Sequence, residues 1–137
     1  MKKIVIFGST GSIGSSLLGI IKKDKKAFNI ELLTAHKNYK RLIKQAKTFN
    51  VKKIILTENN SFLIASKLLK NNKIKVFKSF DSLNKIFNKN KKIDYAMCAI
   101  PGFEGLKPTL DIIKYTKTIA IANKESIICG WCLIKKS

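Results

Sequence analysis

Lys3-Ile4-Val5-Ile6-Phe7-Gly8-Ser9-Thr10-Gly11-Ser12-Ile13-Gly14 is the stretch that decides the fold. Its first part, Lys3–Phe7, is an unbroken apolar run after one lysine and reads as a strand buried on both faces. Glycines follow at G-x-x-G-x-x-G spacing and lead directly into Ser12–Lys23. There Ile13, Leu17, Ile20 and Ile21 fall on one side of a helix. Gly8 permits a tight exit from the strand. Gly11 lets the backbone approach a pyrophosphate, and Gly14 lets the helix pack closely on the strand. The helix start presents free N–H groups and a partial positive charge, which suit phosphate. The spacing departs from the more familiar G-x-G-x-x-G. A ligand-free glycine turn is the plain alternative, but such turns do not require the backbone entropy that these glycines cost.

Outward from this loop the same alternation continues. Asn29–Ala35, Lys53–Leu56, Ile74–Phe77, Asp94–Ile100 and Thr118–Ala122 read as strands. Tyr39–Thr48, Ser61–Leu69, Asp81–Phe87 and Gly105–Tyr115 read as helices, and a last amphipathic piece starts at Glu125. In the second helix Leu42, Ile43 and Ala46 point inward. Strands alternating with helices predict an α/β, Rossmann-like, doubly wound and mostly parallel sheet with helices on both faces. No linker or repeat divides residues 1–137, so one domain is expected. The closing stretch is apolar-periodic and carries no helix stop signal, which predicts a fragment of a longer protein.

Composition narrows the function classes. The chain has 137 residues, 45% of them hydrophobic, enough for one domain with a proper core. No apolar run is long enough to span a membrane. The Met1–Phe7 start breaks into the glycine loop too early for a signal peptide. Cys98, Cys129 and Cys132 form no disulfide framework. Cys129 and Cys132 stand as C-x-x-C, which suits a redox or metal pair or, more plainly, two thiols of a cytosolic protein. The net charge is +20, and all the basic residues but Arg41 are lysines, scattered along the chain. A nucleic-acid-binding module would show clustered arginine or interleaved aromatics, so a solvated lysine surface is expected. Its field still steers phosphorylated ligands.

Two further motifs bear on the ligand. At the end of the second strand, Thr34-Ala35-His36-Lys37-Asn38 has no acid of the kind that holds the ribose of NAD. Lys37 suits a 2′-phosphate, Asn38 can bind it while capping the next helix, and a protonated His36 can help. NADP is therefore favoured over NAD. After the last strand comes Asn123-Lys124-Glu125-Ser126, polar residues at a strand's carboxyl end, where α/β sheets bind ligands. Asn123 suits a nicotinamide ribose, Lys124 a phosphate or polar substrate group, and Glu125 ribose hydroxyls. A plain capped helix start is the alternative.

Gly8–Gly14, Ala35–Asn38, Gly105-Leu106-Lys107-Pro108-Thr109-Leu110 and Ile121–Ser126, in this order and spacing, resemble the 1-deoxy-D-xylulose 5-phosphate reductoisomerase family. The resemblance spans essentially the whole chain, and the Asn-Lys-Glu-Ser segment is its most specific part. It implies an NADPH-dependent oxidoreductase of isoprenoid biosynthesis, a reductoisomerase that converts this sugar phosphate to 2-C-methyl-D-erythritol 4-phosphate with a divalent metal. It further implies that Thr10, Gly11, Ser12 and Ile13 hold the cofactor phosphates and that Lys37 and Asn38 hold the 2′-phosphate end. Asn123 and Glu125 would face the cofactor, and Lys124 the substrate. Catalytic residues, Mg²⁺ or Mn²⁺ ligands and the substrate lid are expected beyond Ser137, so the fragment alone should be inactive. The full-length protein is expected to be a cytoplasmic homodimer that binds no nucleic acid and no membrane. This chain departs from the family at His36, often glycine there, and at Phe103-Glu104, where small residues are usual. The rival enzyme is another NADP-dependent reductase, semialdehyde-dehydrogenase-like or short-chain. A Tyr-x-x-x-Lys pair is absent, since Tyr115 is followed by Thr116, Lys117, Thr118 and Ile119.

Overall fold

A computed structural model describes residues 1–137. Strands β1 (Lys2–Phe7), β2 (Phe28–Ala35), β3 (Lys53–Leu56), β4 (Lys75–Phe77), β5 (Ile93–Cys98) and β6 (Thr116–Ile121) form one sheet. The order is β4-β3-β2-β1-β5-β6, and every pairing is parallel. The helices are α1 (Ser12–Lys23), α2 (Tyr39–Thr48), α3 (Asn59–Leu68), α4 (Leu83–Ile86), α5 (Leu106–Ile113) and α6 (Lys124–Lys136). Short 3₁₀ turns at Phe80–Ser82 and Phe103–Gly105 lead into α4 and α5. The doubly wound α/β reading therefore stands. No helix is long and apolar enough to cross a membrane.

Two cores flank the sheet. Ile4, Ile6, Ile30, Leu33 and Ile54 pack against Leu18 and Ile21 of α1, Leu42 and Ala46 of α2, and Ala65 of α3. Val5, Phe7, Leu32, Ile55 and Cys98 pack on the opposite face against Leu83, Ile112 and Tyr115. Ile30 and Leu33 share a face although they are an odd number of residues apart. A register shift between Ile4 and Val5 explains this: Ile4 pairs with Ile30, but Val5 pairs with Leu32, so Glu31 is the extra residue of a bulge. Burial pushes the Cys98 thiol up to about 11, with a Thr109 hydrogen bond opposing. Cys129 and Cys132 are exposed and unbridged.

The structure corrects several sequence expectations. The buried stripe of α1 is Gly14, Leu18 and Ile21, whereas Ile13 is 46% and Ile20 62% exposed. The helix is set by glycine contact with the loop, which rotates Ile20 outward. The expected helix Asp81–Phe87 is a 3₁₀ turn plus one α turn, and Gly105 belongs to the 3₁₀ lead-in of α5. β6 starts at Thr116 rather than Thr118, because Thr116 already pairs with Ile93.

Candidate dinucleotide-binding site

Sequential strands β1 to β4 run outward to one side of β1, and β5 and β6 lie on its other side. The order in which strands are added therefore reverses between β1 and β5, and the helices that follow them, α1 and α5, pack on opposite faces of the sheet. Such switch points are where open α/β sheets bind ligands. A cleft of about 420 Å³ lies at this point. The glycine loop (Gly8, Thr10, Gly11), the end of β2 (Ala35, His36) and the segment after β5 (Ile100, Pro101, Glu104) all line it, with Thr57, Phe80 and Pro108.

The glycine loop has three glycines in three different situations. Gly8 has φ +74°, and a Cβ there would meet the Ala99 carbonyl oxygen at 2.7 Å. Both the turn and the neighbouring strand end therefore require glycine. At Gly14 a Cβ would run into the Gly8 carbonyl and the Cα of Ser9, so α1 sits directly on the loop. Gly11 differs: a Cβ there would touch only the Gly8 oxygen, at an ordinary 3.5 Å. The protein's own packing does not demand this glycine, and the space in front of it is open. Gly11 is also the N-cap of α1, with no side chain capping the helix. The first N–H groups of α1, from Ser12 and Ile13 onward, are left for an anion. An anionic pyrophosphate fits this cradle in both space and charge.

Side chains that hold the loop come from elsewhere. Gly8 N–H donates to the Thr34 hydroxyl at 3.0 Å. The buried Ser9 donates through Oγ to Gln45 at 2.8 Å, and its carbonyl accepts from the Gln45 amide at 2.9 Å. Ser15 adds a hydrogen bond to the same carbonyl, and Arg41 donates to the Ser15 hydroxyl at 3.0 Å. Gln45, Thr57 and Phe80 went unnoticed in the sequence, and Thr34 was given no role there. Thr34 and Thr57 stand at or just after the carboxyl end of a strand, the one signal that marks ligand-facing positions in this fold class, whereas Gln45 lies within α2 and Phe80 opens a 3₁₀ turn.

At the end of β2, Asn38 caps α2 by accepting from Arg41 N–H at 3.1 Å, as its sequence position predicts. Its amide NH₂ stays available. The Lys37 side chain is exposed, and its ammonium joins no ion pair. His36 Nδ1 is hydrogen-bonded to the Thr57 hydroxyl at 2.8 Å. An acid does approach this corner in space: Glu58 follows β3. Its carboxylate accepts from Asn60 N–H, Ser61 N–H and the Ser61 hydroxyl. These bonds, the Ser61 hydroxyl foremost, with Lys37 the smallest contributor, hold it below the usual carboxylate range. Glu58 is thus committed to capping α3, and the corner remains suited to a phosphate rather than to a free ribose diol.

Asn123, Lys124 and Glu125 do not line this cleft. Asn123 is only 4% exposed. Its amide donates to the carbonyls of Ile100 and Gly102, while Oδ1 accepts from Glu125 N–H at 2.9 Å and Ser126 N–H at 3.2 Å. An asparagine amide has two donor hydrogens and one oxygen with two lone pairs. All are engaged within the protein, where the side chain ties the start of α6 to the loop after β5. Lys124 is exposed and joins no ion pair, and Glu125 is half-buried beside it. No group of three or more His, Cys, Asp or Glu side chains is placed to hold a metal ion.

Residues 4–130 match the family model for 1-deoxy-D-xylulose 5-phosphate reductoisomerase. The chain is 79% identical over 136 residues to the reductoisomerase of Pelagibacter ubique (strain HTCC1062), covering 99% of this chain and 35% of that protein. It is 34% identical to that of Wolbachia pipientis wMel, again over 99% of this chain and 34% of the relative. Among solved structures, the Zymomonas mobilis reductoisomerase in complex with NADPH superposes with a TM-score of 0.87 at 31% identity, over 98% of this chain and 35% of that one. A reductoisomerase in complex with NADPH, fosmidomycin and magnesium gives 0.88 at 28% identity, over 99% of this chain and 33% of that one. The chain thus spans about a third of the length of the relatives it matches. It belongs to the 1-deoxy-D-xylulose 5-phosphate reductoisomerase family.

Proposed function

We propose that this chain is the NADPH-binding part of a reductoisomerase that converts 1-deoxy-D-xylulose 5-phosphate to 2-C-methyl-D-erythritol 4-phosphate. The observation that carries the reading is the uncapped start of α1 behind Gly11, at the switch point between β1 and β5. NADPH supplies the hydride when bound. The backbone from Thr10 to Ile13 would receive its pyrophosphate, and Lys37 with the Asn38 amide its 2′-phosphate. Lys124 would face the sugar phosphate and Glu125 the nicotinamide end. Asn123 would act by fixing the position of both. The divalent cation of the family's chemistry does not fit these residues, which form no such carboxylate cluster. Turnover is accordingly assigned to a longer, cytoplasmic and homodimeric protein of which this sequence forms a part. That protein would act on small molecules, without nucleic acid or membrane.

Calorimetric titration of the chain with NADPH and NADH tests the reading. Tighter binding of NADPH is expected. Absence of NADPH binding to a folded chain overturns it.

A further inference from the structure

We infer that Glu104 reads the base of the dinucleotide, accepting a hydrogen bond from the exocyclic amino group of adenine. The inference rests on the proposed cofactor reading. With the pyrophosphate at the start of α1 and the 2′-phosphate at Lys37 and Asn38, the nucleoside between them is adenosine. The cleft between the ends of β2 and β5 has the right scale for a nucleoside. Its volume of about 420 Å³ lies in the lower part of the usual range for small-molecule sites, roughly 300–1,000 Å³. Its walls suit a flat aromatic ring: Ala35, Phe80, Ile100, Pro101 and Pro108 are apolar.

Glu104 is the one acidic side chain lining this cleft. It stands in the 3₁₀ turn Phe103–Gly105, which the hydrogen bond from Gly105 N–H to the Gly102 carbonyl holds in place. Its carboxylate is exposed and uncommitted. The chain's ion pairs use Asp81, Asp94 and Asp111, and Glu58 and Glu31 have hydrogen-bond donors of their own. Asp24 and Glu125 likewise join no ion pair, but neither lines the cleft, so Glu104 is the one acid placed to meet a ligand there. An acceptor-only group in the lining of an adenosine-sized cleft selects a base that presents a donor. Adenine does so through its amino group, whereas hypoxanthine presents a carbonyl oxygen at the same place. A site built to accept one donor rejects an analogue that lacks it.

The probes are NADPH and its hypoxanthine analogue, titrated against the chain and its Glu104→Gln and Glu104→Ala variants. The wild-type chain should prefer NADPH by about three- to tenfold, the effect of a charged hydrogen bond discounted for exposure. Glu104→Ala should bring the ratio near one. Glu104→Gln can present either its oxygen or its NH₂, so it too should lose the preference. An unchanged ratio in both variants, or no wild-type preference, overturns the assignment of Glu104 while leaving the cofactor reading intact. Failure of both dinucleotides to bind the folded wild-type chain overturns the cofactor reading and this inference together.

Discussion

Gln45 and Ser9, 36 residues apart, exchange two hydrogen bonds: Ser9 Oγ donates to Gln45 Oε1 at 2.8 Å, and Gln45 Nε2 donates to the Ser9 carbonyl at 2.9 Å. Ser9 is fully buried. This pair fastens the glycine loop to α2, the helix that begins at the Lys37–Asn38 corner. The glycine loop and the Lys37–Asn38 corner are therefore tied together through this pair, with the Arg41–Ser15 hydrogen bond beside it.

Replacing that side chain tests the idea. Gln45→Leu keeps the bulk but leaves polar groups of Ser9 short of a partner in a buried place. The cost should be about 1–3 kcal/mol of stability, measured by urea unfolding. NADPH affinity should fall as well, because the loop loses its brace. Unchanged stability would show that Ser9 is satisfied by Thr34 and Ser15 alone.

The loop glycines should separate by role. Gly11→Val is expected to leave a folded chain, since its Cβ meets only the Gly8 oxygen at 3.5 Å, yet to abolish NADPH binding by filling the pyrophosphate space. Gly14→Ala should do the reverse in order of cause. Its methyl would collide with the Gly8 carbonyl and Ser9 backbone, and overpacking of this kind costs typically about 1–3 kcal/mol. Circular dichroism and titration distinguish the two. A Gly11→Val chain that retains affinity would place the pyrophosphate elsewhere.

The glycine loop was legible because everything that shapes it lies within a dozen residues: apolar strand, glycine spacing, helix. The same holds for α1 and α2, whose bounds follow from local periodicity and from the Asn38 cap. What sequence could not reveal depends on distant partners. Asn123 looks free in sequence and is fully engaged in space, because Ile100 and Gly102 are brought to it by the parallel pairing of β5 and β6. Glu104 suggested only a matter of local packing until the fold set it in the lining of the same cleft as Ala35 and His36. The exposed Ile20 shows the limit of apolar periodicity, since Gly14 rather than a large side chain decides which face of α1 turns inward.

Lys37→Ala should weaken NADPH binding and spare NADH. A charge-assisted phosphate contact contributes roughly 1.5–3 kcal/mol, so the loss should be about ten- to a hundredfold for NADPH. Glu58 sharpens the test, because removal of Lys37 takes a cation away from the neighbourhood of that carboxylate and leaves the corner more negative. Equal losses for the two cofactors in calorimetry would separate Lys37 from the 2′-phosphate.

Asp94 gives the fold a pH dependence on the acid side. It accepts from Lys117 Nζ at 2.8 Å and from Lys3 N–H at 2.9 Å, joining β1, β5 and β6. The Lys117 hydrogen bond and then the Lys3 N–H hold its carboxyl below the usual range. A depressed folded-state value means that the stabilisation is present above the ordinary aspartate range, about pH 3.9, and is lost as pH falls through the lower folded value. Urea midpoints taken between about pH 6 and about pH 3 should fall less steeply in Asp94→Asn than in the wild type. Parallel slopes would show that Asp94 does not contribute.

Neighbouring residues at the start of α6 should respond in opposite ways. Asn123 is buried with all its hydrogen-bonding capacity used, and it joins α6 to the loop between β5 and α5. Asn123→Ala removes an N-cap, costing about 0.5–2 kcal/mol, and also strips the Ile100 and Gly102 carbonyls of their donor. Gly105 packs against this amide, since a Cβ there would strike Asn123 Nδ2, so a cavity opens as well. The summed loss should reach about 2–4 kcal/mol, read by thermal or urea unfolding. Asn123→Asp keeps the cap oxygen but sets a carboxylate against two carbonyl oxygens, and it should be no better than alanine. Lys124→Ala, by contrast, removes an exposed ammonium with no ion pair. Its stability should stay within about 0.5 kcal/mol of wild type. NADPH affinity should stay within a few-fold, while in a longer family member that turns over substrate, kcat/KM should fall by the equivalent of about 2–3 kcal/mol. A Lys124→Ala chain that lost NADPH binding would make Lys124 a cofactor residue. An Asn123→Ala chain as stable as wild type would show that the buried amide is not what holds α6 in place.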